Sequence, residues 1–202
     1  MIGILNYGIG NPKAIVRMYD RLGIEAEIVN SSNNFGKFGA LIIPGVGSFD
    51  ACISNFDLAG YREKIEDQIQ KRAMPILGIC VGAQMLGEKS DEGTSRGLSW
   101  MPIETKKIVT TASPVPHMGW NEVLFEGRSN YAEKYGRQGR FYFSHSFVIE
   151  SKLRELILGK FNYEREMAAV IQYENFIAAQ FHPEKSHIFG KHFLEWFASL
   201  IK

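Results

Sequence analysis

The chain has 202 residues, 45% apolar and 22% charged, which is enough for one sizeable hydrophobic core and unlike a disordered chain. Its 23 basic and 22 acidic residues leave a formal charge of +1, so no global field steers it toward nucleic acid or an anionic membrane. Two cysteines, Cys52 and Cys80, make no disulfide framework, though a single bridge stays open; the start from Met1 to Gly8 lacks a signal-peptide pattern, no apolar run is long enough to span a bilayer, and a cytoplasmic location is expected.

Ile2 to Tyr7 reads as a buried strand, followed by Asn11-Pro12 as helix cap and first turn. Ala14, Ile15, Met18 and Leu22 recur at helical spacing up to Gly23. Glu25–Val29 and Ala40–Ile43 read as strands, the second running into Pro44-Gly45-Val46-Gly47. Ser48 to Arg72 is mostly helical with a break near Gly60. Pro75–Ile79 is a fourth strand, and a helix begins at Gly82 and runs to about Gly87. The second half is richer in strands: Glu104–Thr111, Asn121–Phe125, Phe141–Ile149, and a pair within Ala168–Phe181 joined by a turn at Tyr173-Glu174-Asn175. Glu126–Arg140 reads as a long loop. A closing helix, His187–Ile201, carries Ile188, Phe193, Phe197 and Leu200 on one stripe. The pattern predicts one domain, 1–202, of α/β class: an open, mostly parallel twisted sheet flanked by helices, with additional antiparallel strands in the second half.

Gly78-Ile79-Cys80-Val81-Gly82 falls between a predicted strand and a predicted helix, the form of a nucleophile elbow with cysteine at its apex. Glycines are needed there because flanking side chains would collide in so tight a turn. The helix N-terminus favours thiolate, and the Val81 N–H points where an oxyanion would form. The plain alternative is a buried cysteine between packing glycines. His182-Pro183-Glu184 closes the apolar run Ile177–Phe181. In an extended segment His182 and Glu184 project to one side, so the carboxylate would orient the imidazole while the other ring nitrogen faces the thiol. Each motif alone is weak. Together they supply nucleophile, base and orienting acid. Gly47 and its neighbours, after a strand expected beside the elbow, would present N–H groups to a developing charge, or serve only as a flexible turn. His182, His187 and His192 are five residues apart, share no helix face, and give no metal site. Gly8-Ile9-Gly10 lacks the third glycine of a dinucleotide fingerprint, so no cofactor is expected.

The cysteine elbow with Gln84 after it, and Gln180-Phe181-His182-Pro183-Glu184, resemble the class I (triad) glutamine amidotransferases. Within that family the chain resembles the glutaminases of imidazole glycerol phosphate synthases. The segments Asn6–Asn11, Pro44–Phe49, Pro116–Asn121, His145–Phe147 and Gln180–Ser186 carry this likeness in family order along nearly the whole chain. The resemblance implies that Cys80 attacks the side-chain amide of glutamine, with His182 and Glu184 completing the triad. It also implies that Gln84, Glu92 and the backbone of His145, Ser146 and Phe147 bind that substrate. A (β/α)8-barrel cyclase subunit would receive the ammonia in a heterodimer, faced by Asn11, His117, Trp120 and Asn121, and the glycines of Pro44–Gly47 would let an incomplete site rearrange. Val81, Ala83, Phe147, Ser99-Trp100 and the 126–140 segment depart from the family's usual pattern. They leave the triad intact and bear on the partner, which a sugar-amidating synthase of surface-polysaccharide biosynthesis would also fit. A stand-alone thiol hydrolase and a non-catalytic subunit are the remaining alternatives.

Overall fold

The computed structural model describes residues 1–30, 32–71, 73–127 and 129–201. Its first half is a wound α/β unit. The strands β1 (Ile2–Leu5), β2 (Ala26–Val29), β3 (Ala40–Gly45) and β4 (Ile76–Cys80) are parallel and alternate with helices α1 (Pro12–Asp20), α2 (Phe49–Leu58) and α3 (Tyr61–Lys71). Asn11 caps α1 as expected, its side-chain oxygen accepting the Ala14 N–H at 3.1 Å. The long helical stretch is two helices parted at Gly60, whose φ of +68° only glycine adopts freely; Arg72 lies outside the described residues. β1, β3 and β4 are buried on both faces, which is why each reads as a continuous apolar run. The β1–β2 and β3–β4 crossovers run in opposite directions along the sheet. Right-handed connections therefore put α1 on one face and α2 and α3 on the other.

The short helix α4 (Val81–Met85) follows β4 directly. Beyond it lie β5 (Glu104–Lys107), β6 (His117–Phe125), helix α5 (Asn130–Tyr135), β7 (Gln138–His145), β8 (Phe147–Glu150), β9 (Ile157–Tyr163), β10 (Arg165–Tyr173), β11 (Phe176–Ala179) and helix α6 (His187–Ala198). Nine strands form one sheet in the order β2-β1-β3-β4-β11-β10-β9-β6-β7. Pairing is parallel from β2 to β11 and antiparallel from there to β7, so the sheet is a parallel half joined to an antiparallel half. β5 and β8 form a separate antiparallel ribbon.

Several expected boundaries change. Phe141–Ile149 is not one strand: the chain leaves the sheet at Ser146, and β8 pairs with β5 instead. The expected 126–140 loop contains α5, capped by the Ser129 hydroxyl at 3.1 Å from the Ala132 N–H and anchored by buried Tyr131; Arg128 lies outside the described residues. β9, unforeseen, lies between β10 and β6. Ile188 is 51% exposed rather than on the buried stripe of α6, which Phe193, Leu194, Trp196 and Phe197 form. Phe181, stacked on Phe141 at 4.0 Å and edge-on to Phe193, fixes the backbone immediately before His182.

Candidate active site

The site forms at the carboxyl ends of β3, β4 and β11, where open α/β sheets place their ligand clefts. Gly45 pairs with Cys80 in the β3–β4 register, which brings the Pro44–Gly47 segment beside the elbow. Cys80 has φ 54° and ψ −113°, a conformation that costs a non-glycine residue about 1–3 kcal/mol and persists only where the surroundings impose it. The flanking glycines impose it by close approach. A Cβ on Gly78 would lie 2.5 Å from the Gly82 carbonyl oxygen, and one on Gly82 would lie 2.0 Å from that of Ile43. Both cysteines are free thiols.

His182 follows the buried Ala178–Phe181 run and is itself buried. Its N–H bonds the Tyr142 carbonyl at 2.9 Å, and Ser186 clamps it from behind: the Ser186 hydroxyl donates to the His182 carbonyl at 2.6 Å and accepts the Tyr142 N–H at 3.0 Å. The His182–Glu184 contact arises differently from the extended geometry expected. Pro183–Lys185 is a 3-10 turn that swings the carboxylate back, with Oε1 2.8 Å from His182 Nδ1. Burial pulls the imidazole toward neutrality, but Cys80 and then Glu184 overcome it and raise its pKa to about 9. With Nδ1 turned to Glu184, Nε2 is left for the thiol. A thiol, an imidazole and a carboxylate are thereby brought together from residues about a hundred positions apart, the set of groups that nucleophilic catalysis requires.

The cleft above Cys80 has a volume of about 340 Å³. Gly47, Val81, Gln84, Glu92, His145, Ser146 and Phe147, each expected at the site, all line it. Gly47 has a φ of +87°. Gln84 is buried; its Nε2 donates to the Phe147 carbonyl at 3.1 Å, and its Oε1 has no partner among the described residues. One Glu92 oxygen accepts the Phe49 N–H at 3.0 Å. The four residues expected on the partner face separate. Asn11 and Trp120 are exposed, and Trp120 stacks on His187 at 5.2 Å. His117 is 4% exposed, a correction that strand alternation explains: Met118 and Trp120 face out from β6, so His117 faces in. Asn121 shares its face and is half-buried. The other histidines are dispersed, His187 on Trp120 and His192 stacked on Tyr135 at 4.7 Å.

The model of the class-I glutamine amidotransferases matches residues 3–199. The chain is a class-I glutamine amidotransferase. It is 37% identical to the imidazole glycerol phosphate synthase subunit HisH of Bdellovibrio bacteriovorus, over 99% of this chain and all of that one. It is 35% identical to subunit HisH 2 of Pseudomonas aeruginosa over the full length of both. A crystal structure of a glutamine amidotransferase superposes with a TM-score of 0.78 at 19% identity, covering 99% of this chain and 98% of that one. The structure of PurLQS from Thermotoga maritima gives 0.78 at 16% identity, over 100% and 98%. These two establish the fold alone.

In this amidotransferase the cleft is also lined by Val46 and Pro116, which lie in the Pro44–Gly47 and Pro116–Asn121 segments singled out in the sequence, and by Ser144 and Lys185, to which sequence reasoning gave no individual role. The Ser144 carbonyl lies 3.9 Å from the Cys80 sulfur, a main-chain contact with no side-chain signal. Ser186 did carry one, a hydroxyl four residues after the histidine whose carbonyl it holds. Behind the Pro44–Gly47 segment, the Tyr7 hydroxyl donates to the Pro44 carbonyl and the Cys52 thiol to that of Val46 at 3.4 Å. Burial pushes the Cys52 pKa up to about 12, so this thiol stays protonated and serves as a donor.

Proposed function

We propose that this chain is the glutaminase subunit of an imidazole glycerol phosphate synthase, acting as a single domain over 1–202 through a Cys80–His182–Glu184 triad. The observation that carries the reading is the strained Cys80 elbow facing a histidine already held by its own carboxylate. Full-length likeness to several HisH subunits supports it. Cys80 sulfur attacks the glutamine side-chain carbonyl, and the N–H groups of Val81 and Gly47 receive the oxyanion. His182 hands its proton to the departing nitrogen, which leaves as ammonia, and a γ-glutamyl thioester remains on Cys80. His182 then takes a proton from water as the hydroxyl adds to that thioester, and glutamate leaves with the thiol restored. Glu184 keeps the imidazole oriented and stabilises its charged form. Gln84, Glu92 and the His145–Phe147 wall seat the substrate. Ammonia passes to a (β/α)8-barrel cyclase subunit docked over Asn11, Trp120 and the β6 edge of the cleft.

A second reading keeps the glutaminase and changes the partner to a sugar-amidating synthase. It rests on the departures from the family's usual pattern at Val81, Ala83, Phe147 and Ser99-Trp100, which leave Cys80, His182 and Glu184 in place and bear on the partner. The experiment is glutamine hydrolysis by the chain and by Cys80→Ala, alone and with the cyclase subunit of the same genome plus its nucleotide ligand. Stimulation by the cyclase establishes the first reading. Cys80-dependent hydrolysis that ignores the cyclase moves the assignment to the second, and hydrolysis that survives Cys80→Ala overturns both.

A further inference from the structure

Beside the triad lie two buried histidines to which the reaction assigns no proton transfer. His145 Nδ1 is 2.8 Å from the Phe147 carbonyl oxygen, and its Nε2 is 3.1 Å from Nδ1 of His117. On the far side, His117 Nε2 is 3.3 Å from Nδ2 of Asn121, which also donates to the Asn162 carbonyl at 2.9 Å. One end fixes every hydrogen. A carbonyl only accepts, so His145 carries its proton on Nδ1 and offers Nε2 as acceptor. His117 must then donate from Nδ1 and accept the Asn121 N–H at Nε2. The chain of bonds runs one way, from Asn121 through His117 and His145 to the Phe147 carbonyl.

That carbonyl is the atom that also holds the Gln84 side chain, so the relay ends on the substrate wall of the cleft. The rings are packed as well as bonded. His117 lies against Phe143 of β7 at 4.9 Å, Phe161 of β9 at 5.3 Å and Tyr163 at 4.1 Å, which prevents the imidazole from turning over. Burial keeps both rings neutral, lowering His117 to about 4 and His145 to about 3, and neutrality is what the single shared hydrogen requires.

We propose that His117 is a positioning residue for the glutamine cleft, acting through His145 to hold the Phe147 carbonyl and, with it, Gln84. The proposal rests on the glutaminase reading and adds a residue that touches neither substrate nor triad. It differs from ordinary core packing in a definite way: the hydrogen bonds matter, and the ring shape alone does not suffice.

Two measurements test it. Two-bond proton–nitrogen correlation spectra at neutral pH report tautomers directly, and both rings are expected neutral with the hydrogen on Nδ1. A charged ring, or the opposite tautomer at either position, overturns the relay. The second measurement is alkylation of Cys80 by a glutamine-derived diazoketone, whose KI reads binding and whose kinact reads chemistry. His117→Phe keeps the stacks and removes the donor, and should raise KI about five- to tenfold with kinact within about twofold. His117→Asn, which returns an N–H near the Nδ1 position, should recover most of that loss. Asn121→Ala, at the outer end, should raise KI about two- to threefold. Equal KI in parent and His117→Phe, or no recovery in His117→Asn, overturns the positioning role. Labelling by iodoacetamide, which needs no cleft, separates misfolding from a loosened cleft. Failure of the diazoketone to label Cys80 in the parent would sink the glutaminase reading and this role with it, while the spectra still decide the relay.

Discussion

Glu184→Gln keeps the shape of the side chain and removes its charge. His182 titrates at about 9 against an ordinary 6.5, with burial opposing the rise and Cys80 and Glu184 producing it. That difference is worth roughly 3 kcal/mol in favour of the imidazolium. With Cys80 still contributing, loss of the Glu184 charge should bring His182 down by about one pH unit. The sign of the stability effect follows from the direction. A raised folded-state pKa stabilises the folded chain fully below 6.5 and ceases to do so as pH rises through about 9. Between about pH 6 and about pH 10 the parent should lose roughly 3 kcal/mol from this group, and Glu184→Gln roughly 2 kcal/mol. NMR titration of the His182 ring measures the first quantity, and urea unfolding at the two pH values measures the second. A variant whose His182 titrates where the parent's does, with the same alkaline loss of stability, refutes a contribution of Glu184 to charging the ring.

Gly82→Ala would drive a Cβ to 2.0 Å from the Ile43 carbonyl oxygen, a backbone atom that cannot step aside. The unfolding free energy should fall by about 3 kcal/mol or more, and a parent-like urea midpoint would contradict the elbow geometry. Acid should weaken the fold through the relay histidines. Their folded values of about 4 and about 3 lie below 6.5, so their contribution is complete above 6.5 and is lost as pH falls toward those values. Thermal melts across that range should show a declining Tm, with a shallower decline in His117→Phe; an unchanged slope would contradict buried neutral rings.

The parallel half of the fold was legible because strands buried on both faces read as apolar runs, and because Asn11, Gly23 and Gly60 mark where helices begin or end. The antiparallel half was less so. β9 reads Ile-Leu-Gly-Lys-Phe-Asn-Tyr, with Gly159 and Lys160 breaking the pattern, and its pairing with β10 shifts register near Ala168 and Val170. The break at Ser146 did leave a trace. Phe141, Phe143 and His145 alternate inward, and then Val148 and Ile149 are buried side by side, out of phase. α5 is too short to show a helical period. At the site, Cys80, His182 and Glu184 were readable because each residue type has a chemical reason to stand there. The turn that joins His182 to Glu184, the Ser144 carbonyl and the inward aim of His117 were not, because tertiary packing and main-chain direction decide them.

The sheet order also bears on when the molecule becomes reactive. β11 is the last strand in the chain, yet it sits in the middle of the sheet, between β4 and β10. On a ribosome, β4 and its cysteine emerge long before the strand that covers them, and His182 arrives later still. A half-made chain therefore carries the Cys80 thiol with no imidazole beside it, and under the proposed mechanism it neither squanders glutamine nor leaks ammonia. It also carries an open β4 flank that invites pairing with a stranger. Premature termination between β10 and β11 should yield a species that is inert as a catalyst and adhesive as a polymer.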